Sequence, residues 1–91
     1  LLHRNFRCRI GEIDIIAMEG NILSFLEVKY RSSFKYGDPS MAVDQRKQRT
    51  IIKVAGYYLI THPEFQQLQC RFDVVAITPG EIRLYRNAFW S

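Results

Sequence analysis

The pattern of apolar and polar residues predicts β-strands along most of the first thirty positions. Residues 6–10 alternate as a half-exposed strand would, and residues 12–18 and 22–30 also read as strands. Gly11 separates the first two segments, and Gly20-Asn21 lies between the second and the third. Because Gly-Asn is a favoured two-residue hairpin loop, the pattern predicts that the second and third strands form an antiparallel hairpin.

The middle of the chain changes to the spacing of a helix. Asp38 and Pro39 suit an N-cap and a first helical position. Apolar residues then recur at helical intervals up to about residue 62, at Val43, Ile51, Val54, Ala55 and Tyr58. Two further strands are predicted over residues 70–77 and 81–86, with a turn at Pro79-Gly80. The predicted order, β-β-β-α-β-β, indicates an α/β fold in which a mixed sheet packs against a helix.

The composition fits one globular domain that spans residues 1–91. The chain is 47% hydrophobic and carries a formal charge of +4, which suits a polyanionic partner such as nucleic acid, although many small proteins are as basic. Cys8 and Cys70 lack metal-ligand spacing and are interpreted as free thiols. No segment approaches the roughly 20 apolar residues of a membrane span, so we expect a cytoplasmic protein.

The hairpin loop sets the register of the two strands that it joins. It places Asp14 opposite Glu27 and Glu12 opposite Lys29, on one face that is apolar near the loop and charged beyond it. The other face is nearly all apolar and is predicted to be buried. That face holds Ile13, Ile15, Ala17, Ile22, Ser24, Leu26, Val28 and Tyr30.

The charged end of the ribbon has the residue types of a metal-dependent hydrolase. Opposed carboxylates at Asp14 and Glu27 would have β-carbons about 4.5–5.5 Å apart and would repel each other, so a divalent cation is a natural compensation. Carboxylate oxygens at this spacing suit Mg²⁺ or Mn²⁺. Lys29 points to the same face and can orient a water or stabilise charge at phosphorus. From spacing alone, a structural salt-bridge network that includes a Glu12–Lys29 pair is equally favoured.

Lys47 lies on the apolar stripe of the predicted helix. It stands four residues after Val43 and four before Ile51, so it faces the sheet. From there its ammonium could reach the charged end of the ribbon and bind a phosphate, or it could extend into solvent.

Several segments together carry a family resemblance. They are Gly11-Glu-Ile-Asp-Ile-Ile-Ala17, Phe25-Leu-Glu-Val-Lys-Tyr-Arg31, Ala55-Gly-Tyr-Tyr-Leu59, Arg71-Phe-Asp-Val-Val75 and Asn87-Ala-Phe89, with Asn5 and Lys47. In combination they resemble the YraN-like family of small bacterial proteins, which is assigned to the PD-(D/E)XK nuclease superfamily and related to archaeal Holliday junction resolvases. The resemblance covers nearly the whole chain. It implies a restriction endonuclease-like mixed central sheet flanked by helices, with the family's N-terminal helix missing from this sequence.

The resemblance also implies an activity and assigns residues to it. Asp14 and Glu27 correspond to the metal-binding carboxylates and Lys29 to the catalytic lysine, while the carbonyl of Val28 would complete the metal site. The implied protein is a Mg²⁺- or Mn²⁺-dependent endonuclease that acts on DNA, including branched or junction DNA.

Three further residues are assigned to the site, and two alternative functions are kept open. Arg31 and Lys47 are expected to contact phosphates, and Glu12 to support the site. A non-catalytic nucleic-acid-binding module that retains the nuclease fold is the main alternative, and a structural or assembly protein is a third. The sequence leaves open whether RNA is cut and whether the chain forms a homodimer.

Overall fold

The computed structural model describes residues 1–32 and 43–89. They form β1 (His3–Arg7), β2 (Glu12–Glu19), β3 (Ile22–Tyr30), α1 (Gln45–Thr61), β4 (Gln69–Thr78) and β5 (Glu81–Phe89), with a short 3-10 turn at Pro63–Phe65. The strands form a five-stranded sheet in the order β1-β2-β3-β4-β5. Only the central β3–β4 pair is parallel, and the other pairs are antiparallel. This confirms the predicted α/β fold with a mixed sheet.

The first strand lies nearer the N-terminus than predicted. It ends at Arg7, because Cys8 and Gly11 exchange backbone hydrogen bonds of 2.9 and 3.2 Å that close a tight turn. The predicted boundary is wrong because the alternation of apolar and polar residues continues through this turn. Gly11 also allows α1 to pack closely, since a β-carbon there would lie 2.6 Å from the Thr50 methyl group.

The described helix begins later than the sequence indicated. Its N-cap is Asp44, whose carboxylate accepts a hydrogen bond of 2.8 Å from the Lys47 backbone amide. The predicted cap at Asp38 and Pro39 lies outside the described residues. Val43, predicted to be helical, precedes the cap although its side chain is buried. Both aspartates suit a cap by residue type, so local preference alone could not choose between them.

The helix packs on the sheet face that holds Ile16, Leu23 and Phe25, all of which are buried. The Phe25 ring lies nearly perpendicular to the ring of Tyr58, with centroids 6.0 Å apart, and stacks on Phe72 at 5.6 Å. Each fully buried side chain of this size stabilises the fold by about 1.5–3 kcal/mol. The predicted apolar stripe is confirmed, because all of its members are buried: Val43, Ile51, Val54, Ala55 and Tyr58.

The prediction that the opposite face of the β2–β3 ribbon is buried is wrong for most of its residues. Of the eight residues assigned to that face, only Ile13 and Ser24 are buried, and Tyr30 is 77% exposed. Ile13 is buried in the same core cluster as Ile16. The physical reason is that the one α-helix among the described residues lies on the other face, so the second face is covered only by its own neighbours. In the described part of the chain, no helix combines the length and the apolar character needed to cross a membrane.

Candidate metal centre

The β2–β3 hairpin follows the predicted register near its loop and departs from it at the charged end. Gly20 has φ +59°, as a tight hairpin loop requires, and Ile16 pairs with Phe25 as predicted. The ladder ends one pair before Asp14 and Glu27, however. Instead, the Asp14 carboxylate accepts a hydrogen bond of 2.9 Å from the backbone amide of Val28. The side chain thus takes the place of a backbone carbonyl, and the two strands separate here.

The carboxyl groups of Asp14 and Glu27 meet at this separation. Glu27 is only 5% exposed, and its Oε2 atom is buried without a hydrogen-bond partner among the described residues. Burial, followed by the hydrogen bond and the negative charge of Asp14, raises the pKa of Glu27 from its ordinary value of 4.5 to about 7. The predicted proximity of the two carboxyl groups is therefore present, although they are not a ladder pair.

Two lysines face these carboxyl groups. The Lys47 ammonium lies 3.7 Å from Glu27 Oε1, so the helix stripe does bring it to the charged end of the ribbon. The half-buried Lys29 is close enough that its charge, like that of Lys47, opposes the rise in the pKa of Glu27. The site thus combines two neighbouring carboxyl groups with one ammonium group at ion-pair distance, that of Lys47, and the nearby charge of Lys29.

The other predicted site residues lie at the margin. Glu12 forms an ion pair with Arg7 on β1, so its charge is satisfied there and the Glu12–Lys29 pair of the salt-bridge alternative is not the arrangement that forms. Arg31 follows β3 with an exposed side chain, and its backbone amide donates to the carbonyl of Ile77 at 2.8 Å. Val28 enters the site through its backbone amide.

The donor set fits a hard divalent cation. Within residues 1–32 and 43–89, no three His, Cys, Asp or Glu side chains gather as a metal cluster. Mg²⁺ needs fewer protein ligands, because it keeps several waters and is typically held by one or two carboxylates together with substrate phosphates. The buried Oε2 of Glu27, which lacks a partner in the described structure, is an acceptor that such an ion would satisfy.

β2 contains an irregularity next to Asp14 that the sequence pattern did not predict. Ile13 and Ile16 are both fully buried in the core, although residues three apart in a regular strand point to opposite faces. The side chains of β2 therefore change faces of the sheet between Ile13 and Ile16. Opposite Asp14 lies Asn5, whose φ of +51° is left-handed. Asn5 stands just before the alternating segment predicted over residues 6–10, and its residue type is the one available signal, because asparagine disfavours strands and tolerates this conformation.

Comparison with known proteins places the chain among bacterial sequences. The model of the uncharacterised protein family UPF0102 matches residues 1–77. A UPF0102 protein of Lachnoclostridium phytofermentans is 49% identical over 89 residues, which cover 98% of this chain and 75% of that protein. The corresponding protein of Caldicellulosiruptor saccharolyticus is 45% identical, with 98% and 80% covered. That of Stutzerimonas stutzeri is 44% identical, with 100% and 79% covered.

Proposed function

The chain belongs to the uncharacterised protein family UPF0102, a name that states no activity, and from its site we propose that it is a metal-dependent endonuclease acting on DNA. One observation carries this proposal. The buried Glu27 carboxyl group has an unsatisfied oxygen and lies against Asp14, with the Lys47 ammonium 3.7 Å from its other oxygen and the charge of Lys29 nearby. Such strongly perturbed carboxyl groups cluster at functional sites.

The proposed roles follow from the position of each group. Asp14 and Glu27 would hold Mg²⁺ or Mn²⁺, with the Val28 carbonyl as the third protein ligand that the family resemblance implies. When bound, the ion supplies Lewis acidity and makes a water nucleophilic near neutral pH. Lys29 would orient the attacking water and stabilise negative charge that develops on the phosphoryl oxygens.

Two basic residues would hold the DNA backbone. The Lys47 side chain is 43% exposed beside Glu27, so its ammonium is accessible to a phosphate without any movement of the helix. Arg31 is exposed just beyond the end of β3, two residues after Lys29. Phosphate contacts of this kind position a substrate without reading its sequence, so the shape of the DNA, including branches and junctions, would set the preference.

A non-catalytic nucleic-acid-binding module is the second candidate. The Lys47–Glu27 ion pair favours it, because that pair offsets part of the carboxylate charge without any metal. In that case the formal charge of +4 would suffice for binding, and the carboxyl pair would be structural.

A cleavage screen tests the proposal directly. The protein is incubated with linear duplex, nicked, flapped and four-way-junction DNA in Mg²⁺, Mn²⁺ or EDTA. Asp14→Asn is the matched control, because the amide keeps an oxygen that can accept from the Val28 amide but loses the charge that binds metal. We expect metal-dependent cuts that this variant does not make. Binding without cleavage of any substrate in either metal would instead support the second candidate.

Lys47 is expected to matter more for DNA than its neighbour Arg49. We expect Lys47→Ala to weaken DNA binding or cleavage about tenfold, because the ammonium faces the carboxyl groups where a phosphate would lie. Arg49→Ala should have an effect of less than about twofold, since Arg49 is exposed and lies roughly 200° away around the helix. Titration of labelled junction DNA with both variants measures the difference. Equal losses would indicate a diffuse basic surface.

DNA binding should depend strongly on salt and little on sequence. The reason is that binding by Lys and Arg releases cations condensed on the DNA, so the logarithm of affinity falls linearly with the logarithm of salt concentration. With two phosphate contacts the slope would be about −2. Fluorescence anisotropy between low and moderate salt, on two unrelated sequences of the same shape, gives this slope. An affinity that does not change with salt contradicts a phosphate-based interface.

A further inference from the structure

The first strand turns over at the same level of the sheet as the second. His3 and Phe6 are three residues apart, yet their rings contact the same side chain, with centroids 5.4 and 5.0 Å from that of Tyr58. In a regular strand they would point to opposite faces. Asn5 lies between them with φ +51°. The left-handed residue is thus the point at which β1 reverses its faces.

Asn5 and Asp14 are opposite each other and are left out of the ladder. The pairs on both sides of them keep a single register, Arg4 with Ile15 and Phe6 with Ile13. The ladder between β2 and β3 has also ended at this level. Asp14 therefore forms a ladder pair with neither neighbouring strand. Its carboxylate accepts a hydrogen bond from the Val28 backbone amide instead.

An open cavity marks the same place. It measures about 290 Å³ and lies at this break in the ladder, lined by Arg4, Asn5, Asp14, Ile15, Val28 and Tyr30. A closed ladder at this level would keep the Asp14 backbone in regular pairing and fix the direction of its side chain toward one face of the sheet. The break gives this carboxylate both a fixed partner and access to solvent.

We infer that Asn5 is a positioning residue for the carboxyl pair. Its left-handed backbone opens the sheet at Asp14, so that the Asp14 carboxylate is held on the Val28 amide and against Glu27. The consequence for metal binding rests on the proposed function, whereas the opening of the sheet does not. The backbone conformation of Asn5, and not its amide side chain, is what opens the sheet. Glycine should therefore replace asparagine, and a β-branched residue should not.

Three variants separate this role from general stability. Asn5→Val disfavours the left-handed conformation, and Asn5→Gly preserves it without the side chain. Asn87→Val is the matched control, since Asn87 is the other non-glycine residue of positive φ in the described structure, at +57°, and lies in β5 on the opposite edge of the sheet. Asn5→Ala, with a milder penalty, replaces Asn5→Val if that variant does not fold.

Two measurements are made on each protein. The first is hydrogen exchange of the Val28 amide, expressed relative to the Phe25 amide so that general destabilisation cancels. The second is Mn²⁺ affinity by calorimetry. We expect Asn5→Val to speed the relative exchange and to weaken Mn²⁺ binding by about tenfold each, the usual size of a lost supporting contact. Asn5→Gly should leave both values close to those of the unmodified protein, and Asn87→Val should change neither.

The outcomes distinguish this inference from the function on which it rests. If Asn5→Gly fails as Asn5→Val does, the side chain acts and the backbone role is overturned. If Asn5→Val behaves like Asn87→Val, Asn5 does not position Asp14 at all. If the exchange pattern is as expected but even the unmodified protein binds no Mn²⁺, the inference on Asp14 holds and the proposed metal-dependent function fails.

Discussion

Glu27→Gln should abolish metal-dependent cleavage and yet make the metal-free protein more stable at neutral and higher pH. The loss of cleavage should be on the order of 10³-fold or more, because a bound metal contributes several kcal/mol to the transition state and each 1.36 kcal/mol is tenfold in rate. The gain in stability follows from the burial of Glu27, which is 5% exposed beside Asp14.

The sign of the pH effect comes from the raised pKa of Glu27. Burial and Asp14 raise it from 4.5 to about 7, so between these values the folded state holds a proton that the unfolded state has released. The free energy of unfolding therefore falls as pH rises from about 4.5 to about 7, by up to about 3 kcal/mol, and is flat above that range. The glutamine side chain introduced by Glu27→Gln cannot ionise, so the variant lacks this fall. We expect it to be more stable by about 1–3 kcal/mol at about pH 8 and similar to the unmodified protein below about pH 4.5.

Thermal and urea melts at acid and alkaline pH, with and without metal, measure this effect. Mg²⁺ or Mn²⁺ at about 100 times its dissociation constant should stabilise the unmodified protein by about 2.7 kcal/mol and the variant hardly at all. A structural salt bridge predicts the opposite, because the variant would lose the ion pair with Lys47. A variant that is less stable at alkaline pH, together with no metal response in either protein, would remove the physical basis of the nuclease proposal.

Lys29→Met should lower the turnover number by about 10²–10³-fold while leaving metal affinity unchanged at pH values where Glu27 is ionised. Methionine keeps the unbranched apolar stem of the half-buried side chain but removes the ammonium, so packing changes little. Because the group is proposed to act on the attacking water and the developing charge, kcat should fall much more than KM changes. The charge of Lys29 also lowers the pKa of Glu27, so this pKa should rise in the variant and metal binding should require higher pH.

Lys53→Met is the control for this prediction, since Lys53 is exposed on α1 and the substitution removes the same charge from the whole protein. Steady-state kinetics and Mn²⁺ titrations across a pH series compare the two variants. A similar loss in both would show that net charge is responsible. A loss of metal affinity at all pH values in Lys29→Met would show that Lys29 supports the carboxyl pair structurally, and its catalytic role would then be withdrawn.

The sequence alone determined the order of the elements, the hairpin and the buried stripe of the helix. These features depend on residues close together in the chain: Gly20-Asn21 fixes a loop, and spacings of two or about 3.6 residues fix which side chains share a face. The place of Lys47 between Val43 and Ile51 allowed its approach to the charged end of the ribbon, which the structure shows, as well as extension into solvent. Local periodicity is sufficient for such statements because it needs no knowledge of what packs on the element.

Only the tertiary structure decided how the candidate site is built. The pKa of Glu27 depends on burial beneath α1 and on contact with Asp14, and both depend on segments that are distant in the chain. The hydrogen bond from the Val28 amide to the Asp14 carboxylate forms where two ladders are interrupted at the same level, which the sequence pattern did not predict. The left-handed backbone of Asn5 is likewise held by the pairs that β1 forms with β2 before and after it. Pairing along one ribbon is set by local chain geometry, whereas burial and strand separation are set by the whole sheet and the helix that covers it.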